Sequence, residues 1–268
     1  MKAAVIQMNS GDDLAANLAQ AQALLERAAG DGAVLAALPE NFAFMGARER
    51  DKLAHAEADG RGRIQDWLAT TAARRRLWIV AGTLPIGAPD GRVYAASCVY
   101  GADGARVARY DKIHLFDVDV GAGEVYRESN SIAPGAPRVV AVDTPLGRLG
   151  LSVCYDLRFP ELFRALAADG CTLLSVPAAF TAKTGAVHWH TLLKARAVEN
   201  LCYLLAPGQC GTHPGGRGTW GHSLIVEPWG ETLAEVAADA PGHALAEIDP
   251  AHLDAVRARF PALGHRRL

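Results

Sequence analysis

Short apolar runs rich in Val, Ile, Leu and Ala recur along the whole chain, separated by longer Ala/Leu/Arg/Glu segments of helical period. This alternation predicts an α/β layer arrangement. Strands are expected at 2–8, 33–37, 77–82, 93–100, 105–110, 138–142, 148–153, 172–176, 202–206, 222–227, 231–236 and 243–248. Helices are expected at 14–29, 60–76, 159–169, 186–200 and 250–259. Asp12 and Asp13 are N-cap candidates for the first helix, and Gly30 follows its end. Asp90-Gly91, Asp103-Gly104 and Pro228-Trp229-Gly230 read as hairpin turns. No internal repeat is visible and no linker divides the pattern, so one domain is expected over 1–268. Periodicity alone leaves three-layer and four-layer sandwiches both open.

Composition narrows the function. Half of the 268 residues are hydrophobic, enough for one sizeable core. A formal net charge of -2 offers no electrostatic case for nucleic acid. The basic clusters Arg74-Arg75-Arg76 and Arg266-Arg267 are short, and read as a solvated helix end and a tail contact. Cysteines 98, 154, 171, 202 and 210 form no C-x-x-C pair. Their odd number and irregular spacing argue against a disulfide framework and against a zinc site. The chain opens directly on a strand, Lys2 to Met8, with no signal-peptide pattern and no apolar stretch of membrane-spanning length. A reducing cytoplasm is the simplest location, and it would keep a nucleophilic thiol reduced.

Residues 151–161, Leu-Ser-Val-Cys-Tyr-Asp-Leu-Arg-Phe-Pro-Glu, carry the most chemistry. An apolar strand runs into Cys154, a turn-compatible Tyr155-Asp156 follows, and Pro160 opens a helical pattern. A cysteine held on such a bend, its sulfur exposed and backbone N–H groups nearby, has the geometry of an acyl-transfer nucleophile. The alternative is a small buried hydrophobe, the usual fate of a free cysteine. Two further strand ends bear charged residues. An apolar 33–38 run ends in Pro39-Glu40, and 105–110 is followed by Lys112 within Arg109-Tyr-Asp-Lys-Ile-His-Leu-Phe-Asp117.

Glu, Lys and Cys in this order, each at a strand end, resemble the nitrilase (carbon–nitrogen hydrolase) superfamily. The resemblance extends over nearly the whole chain. It includes Arg127-Glu128-Ser129-Asn130, Gly185-Ala186-Val187-His188-Trp189, Lys194 to Asn200, Trp220-Gly221-His222-Ser223, Glu227-Pro228-Trp229-Gly230 and His265-Arg266-Arg267. Singly these are weak, but in one order they are specific, and they match the Nit branch best. The resemblance implies a four-layer α-β-β-α sandwich of two mixed sheets. It also implies hydrolysis of a linear, carboxylate-bearing amide through a cysteine thioester, without metal or other cofactor. Deaminated glutathione is the favoured substrate, and α-ketoglutaramate or α-ketosuccinamate the alternative. A non-catalytic scaffold would be expected to have lost one of the three residues. A true nitrilase fits the Nit branch less well.

Amide hydrolysis needs a nucleophile, a proton shuttle and a stabilised oxyanion. In the resemblance Cys154 is the nucleophile and Glu40 the base, its carboxyl raised by burial at a strand end. Lys112 stabilises the thiolate and then the oxyanion, with a backbone N–H after Cys154, that of Tyr155. Glu128 matches an additional superfamily glutamate that orients Lys112 or the substrate amine. Surface positions are the alternative for Glu40 and Lys112. Arg158 offers a fork for a substrate carboxylate, with an ion pair to Glu161 or Asp156 as the structural alternative. Phe180 and Thr184 are placed on the loop after strand 172–176, where pocket residues are expected. His188 and His190 are two apart, so on a helix they point in different directions; that disfavours a shared metal, and nothing else in the sequence supplies a ligand set. His190 also stands where members of the branch usually have Glu. His222 is expected in a strand as a hydrogen-bonded core residue, and His114 as a shaper of the Lys112 loop. Gly215-Gly216-Arg217-Gly218 lacks the ending of a phosphate loop. The 186–200 helix carries Val187, Leu192, Leu193, Ala195, Ala197 and Val198, too widely spread for one stripe. The 159–169 helix has the same character, with Leu162, Phe163, Leu166 and Ala167. The resemblance pairs these helices across a two-fold axis in a homodimer.

Overall fold

A computed structural model describes residues 1–268 apart from 122, 238 and 268. The first half contains β1 (Lys2–Gln7), α1 (Leu14–Gly30), β2 (Ala33–Ala37), α2 (Arg63–Arg75), β3 (Trp78–Val80), β4 (Leu84–Gly87), β5 (Val93–Tyr100), β6 (Arg106–Asp111), β7 (Asp117–Asp119) and β8 (Val125–Arg127). The second half contains β9 (Ala141–Thr144), β10 (Gly147–Leu151), α3 (Pro160–Ala168), β11 (Leu173–Ser175), α4 (Ala182–Asn200), β12 (Tyr203–Ala206), β13 (Cys210–Thr212), β14 (Gly218–Trp220), β15 (Leu224–Val226), β16 (Thr232–Glu235), β17 (Gly242–Glu247) and α5 (Pro250–Arg259).

These strands form two mixed sheets. One runs β17-β1-β2-β3-β5-β4 with β6 on β5, and the other runs β16-β15-β12-β11-β10-β9. Each has a parallel centre, β1-β2-β3 or β10-β11-β12, flanked by antiparallel strands. Strands with helices on one face and a second sheet on the other are apolar at every position, because both sides are buried. β1 shows this directly. Ala3 and Val5 pack between the sheets with Leu149, Leu151, Leu173 and Leu205. Ala4 and Ile6 pack outward with α1 and α2 residues such as Leu18, Leu25 and Leu68. On the other side α3 and α4 cover the second sheet through Phe163, Leu166, Trp189 and Leu193. The result is the expected α-β-β-α sandwich.

Local chemistry sets the ends of the elements. The Asp13 carboxylate accepts the N–H groups of Ala15 and Ala16 and starts α1. The helix expected at 186–200 begins four residues earlier, because the Thr181 side chain accepts the Thr184 N–H as N-cap. Gly185 lies inside it. A Cβ there would stand 2.3 Å from the Trp220 side chain, so a glycine lets the helix lie against β14. Strand 138–142 is found at Ala141–Thr144, and strand 222–227 shortens to Leu224–Val226, leaving His222 outside it. Strand β4 and the hairpins β7-β8 and β13-β14 were not expected. Among the described residues no helix is long and apolar enough to cross a membrane, and all five cysteines are unpaired.

Candidate active site

Three strand ends converge at one edge of the sandwich. After β2, Leu38 N–H donates to Val80 O (2.9 Å) and Asn41 adopts φ 57, turning Glu40 inward. Gly82 is required there, since a Cβ would come within 2.0 Å of Pro39 O. After β6, Lys112 is anchored by its N–H to Ala95 O (3.1 Å) and its carbonyl from Gly135 N–H (2.9 Å). After β10, Cys154 donates its N–H to Pro177 O (2.9 Å) and takes φ 46, a left-handed conformation that is strained for a residue with a Cβ. A 3-10 turn, Cys154–Arg158, then leads into α3.

Asp156, fully buried, holds this bend in place. One oxygen accepts Val153 N–H (2.8 Å) and Tyr110 O–H (2.7 Å); the other accepts His114 N–H (3.2 Å) and lies 2.7 Å from His114 Nδ1. It therefore ties the cysteine bend to β6 and to the Lys112 loop. His114 shapes that loop as expected and stacks on Phe159 at 3.6 Å. Asp156 was not singled out as an organiser, because its value lies in partners distant in sequence.

Glu40, Lys112 and Glu128 are at most 9 % exposed and form one ionic cluster. Lys112 Nζ lies 2.8 Å from Glu40 Oε1, and 2.8 and 2.9 Å from the two oxygens of Glu128. Glu128 Oε2 also accepts Phe116 N–H (2.6 Å), and Glu40 Oε2 accepts Ala179 N–H (2.8 Å). The Cys154 side chain faces the same cavity as the Glu40 carboxylate. All four residues line a cavity with about 450 Å³ of free space, mouth included.

The electrostatics differ from expectation. Burial is the largest single influence on Glu40 and pushes its carboxyl up, as predicted. The Lys112 charge and hydrogen bond, the adjoining Cys154 thiol and the Arg217 charge together outweigh it, and the carboxyl is held below its ordinary 4.5. Burial, with the Glu40 charge added, instead raises the Cys154 thiol well above its ordinary 9.0 despite Lys112. The resting state is therefore a neutral thiol beside an ionised carboxylate. Lys112 is desolvated, but Glu128 and Glu40 keep it cationic, well above 10.5.

Tyr155, Phe180 and Thr184 line the cavity, Thr184 from the first turn of α4 and not from a loop. Arg158 does not line it. Its Nη1 and Nη2 lie 3.3 Å from His188 Nδ1, and its guanidinium covers the Phe180 and Tyr155 rings at 5.2 and 5.9 Å. Neither ion pair considered for it, with Glu161 or Asp156, forms among the described residues. The guanidinium that does line the cavity is that of Arg217, in the glycine-rich loop. Nη2 donates to Ala179 O (2.8 Å), Nη1 lies 3.6 Å from Glu49, and the guanidinium covers Tyr126 at 5.0 Å. Its Nε is buried and has no hydrogen-bond partner in the protein. Lys52 lies 3.4 Å from the same Glu49, so two cations share one carboxylate at the mouth. A wider outer cleft opens beyond them, with Arg48, Arg127 and Lys183 on its walls. His190, the departure from the branch pattern, hydrogen-bonds Glu235 on β16. His222 is half-buried in a left-handed turn and not in a strand.

This sandwich, with a buried Glu-Lys-Cys cluster at three strand ends, defines a hydrolase of amide-type carbon–nitrogen bonds. The chain belongs to the carbon–nitrogen hydrolase family, whose profile matches residues 2–258. It is 46% identical to a deaminated glutathione amidase of Synechocystis sp., over 98% of this chain and 97% of that protein. The crystal structure of the Caenorhabditis elegans NitFhit protein superposes with a TM-score of 0.92 at 38% identity, covering 99% of this chain and 65% of that longer one. An amidase from Nesterenkonia sp. AN1 superposes with a TM-score of 0.81 at 29% identity, covering 97% and 98%; that structure shows the result of Michael addition of acrylamide at the active site cysteine.

Proposed function

We propose that this chain is a thiol amidase that cleaves deaminated glutathione, using Cys154, Glu40, Lys112 and Glu128 and no cofactor. The observation that carries this reading is the buried Glu40 carboxylate, paired with Lys112 Nζ at 2.8 Å and lining one cavity with the Cys154 thiol. Glu40 takes the thiol proton as sulfur attacks the carbonyl carbon. The resulting oxyanion is stabilised by the Lys112 ammonium and the Tyr155 N–H. Glu40 returns the proton to the amine, which departs and leaves a thioester on Cys154. Water then attacks the thioester, Glu40 takes its proton, and the thiol is regenerated as the acid leaves. Glu128 holds Lys112 through both carboxylate oxygens and keeps it charged.

The substrate assignment is supported by full-length similarity to deaminated glutathione amidase and by the cations at the mouth. Arg217 replaces Arg158 as the anchor for a substrate carboxylate, because its buried Nε–H has a hydrogen bond to give. In deaminated glutathione the amide nitrogen belongs to cysteinylglycine, so the leaving amine is a dipeptide; from α-ketoglutaramate it is ammonia. A panel of both, with glutamine, a simple aliphatic amide and a nitrile, tests the reading by measuring dipeptide or ammonia release. Deaminated glutathione is expected to give the highest kcat/KM. A faster α-ketoglutaramate would make this an ω-amidase, and no turnover of any amide would defeat the proposal. In the same assay Arg217→Lys should raise KM for carboxylate substrates roughly tenfold, the worth of a hydrogen bond between charged groups. An equal loss on the neutral amide would make Arg217 structural.

We also infer a homodimer formed through α3 and α4, and a reducing cytoplasmic location consistent with five unpaired thiols. Val187 and Val198 on α4 are 69% and 40% exposed, apolar surface that a second copy would cover. Sedimentation equilibrium at micromolar concentration should return the dimer mass; a single monomeric species would overturn this assignment.

A further inference from the structure

Away from the cavity, three side chains from three separate elements converge: His190 from α4, His222 from the turn before β15, and Glu235 at the end of β16. We propose that they form a binding site for a zinc-class divalent metal ion, with two imidazoles and one carboxylate as protein ligands and a fourth position for water.

The geometry supports this in three ways. His190 Nε2 and His222 Nδ1 lie 3.0 and 2.5 Å from the same oxygen, Glu235 Oε1, and the three donor atoms fall within 4.8 Å of one another. Donors around a tetrahedral zinc ion, each about 2.0–2.2 Å from the metal, stand roughly 3.3 Å apart. The donor separations here, from 2.5 Å to at most 4.8 Å, bracket that spacing, so modest side-chain movements would admit the ion. All three side chains are only partly buried, between 24% and 37% exposed, and so have room to make them.

The site is also built before any ion arrives. His222 is held at φ 52, a conformation uncommon for any residue with a side chain. Its carbonyl accepts the indole N–H of Trp189 at 2.9 Å, which fixes the turn to α4 one residue before His190. Trp220 lies on the His222 ring at 4.7 Å, and the two imidazoles meet edge to face at 5.2 Å. His188, the histidine nearest His190 in sequence, faces Arg158 and takes no part.

The donor chemistry completes the case. Two neutral imidazoles with one carboxylate suit zinc and neighbouring transition metals, not magnesium or calcium, which prefer oxygen. Such an ion would clamp α4 to the β15-β16 edge of the second sheet. A bare hydrogen-bonded trio is the competing description.

Zinc titration of the full-length, chelator-stripped protein separates the two, read by calorimetry and by competition with a chromophoric chelator. One equivalent is expected to bind with a Kd on the order of 1 μM or tighter. Zinc should also raise the Tm, and cobalt should give the visible absorption of a four-coordinate site. His190→Ala, Glu235→Gln and His222→Gln should each weaken binding more than about tenfold. Cys154→Ser and His188→Ala should leave it intact. If His222→Gln misfolds by circular dichroism, the other two variants, on half-exposed positions of regular elements, decide the matter. Binding absent at about 100 μM zinc, retained in the His190 and Glu235 variants, or lost in Cys154→Ser would overturn the proposal.

Discussion

Cys154→Ala is expected to lower kcat/KM by on the order of 10⁴-fold or more, the scale seen when a covalent nucleophile is removed. The sulfur cannot be replaced from within the molecule. Among the described cysteines only Cys154 lines the cavity. Cys98 and Cys171 are buried elsewhere, their thiols pushed up to about 12 by desolvation. Cys202 and Cys210 are likewise held up at about 11 by burial. The fold should survive. The bend is held by Asp156 and by the Cys154 N–H bond to Pro177 O, and neither uses the sulfur. The remaining strain at φ 46 is one that alanine shares with cysteine. Steady-state kinetics, thermal unfolding and intact-mass analysis during turnover check this together. A rate within tenfold of wild type, or an acyl adduct on another residue, would remove Cys154 as nucleophile. Because the resting thiol is neutral and its base is next to it, reactivity comes from proton transfer to Glu40 during attack and not from a standing thiolate.

What could be read in advance follows a physical division. Glu40 and Cys154 were legible at the ends of the apolar runs of β2 and β10, because such a strand marks where the chain must turn, whereas Lys112 follows the amphipathic β6 and stands out through the order Glu, Lys, Cys. Glu128 was legible only through resemblance, since a short 3-10 turn, Glu128–Asn130, carries no periodic signal. Arg158 and Arg217 show the limit. Its spacing four residues after the nucleophile places Arg158 near the site, yet a turn of the chain directs it over Phe180 and against His188. Arg217 sits among glycines in a loop that carries no phosphate motif, and only the fold brings that loop over Ala179. Neighbour spacing likewise separated His188 from His190 correctly. It could not show that His190 meets His222 and Glu235, because those contacts cross from α4 to another element. The short hairpins β7-β8 and β13-β14 have too few residues for alternation to register.

Lys112→Met is expected to lower kcat by roughly 10²–10³-fold, the usual worth of an oxyanion donor, with little change in KM. It should also destabilise the fold on the order of 3–5 kcal/mol near neutral pH, because it leaves Glu40 and Glu128 buried without their cation. The pH dependence distinguishes this from a simple packing defect. In the wild type, the Glu40 carboxyl is depressed, so its contribution to stability is present above its unfolded value near 4.5 and is lost as pH falls through the lower folded value. The Lys112 ammonium is raised, so its contribution is complete below 10.5 and is lost only as pH rises through the higher folded value. Between those limits wild-type stability should be insensitive to this cluster. In the variant, burial is no longer opposed by Lys112, and the Glu40 carboxyl moves up. The folded state then binds protons more readily than the unfolded one, and the stability deficit should shrink as pH falls from 8 toward about 5. Activity should respond in parallel. Wild-type kcat/KM requires one proton on the Cys154–Glu40 pair, so its plateau should extend from below 4.5 to above 9.0. The acid limb of the variant should move upward into that range. Denaturant unfolding and kcat/KM, each measured at several pH values, provide the check. A deficit independent of pH, with an unmoved acid limb, would mean that Lys112 does not hold Glu40 ionised and that the base must be sought elsewhere.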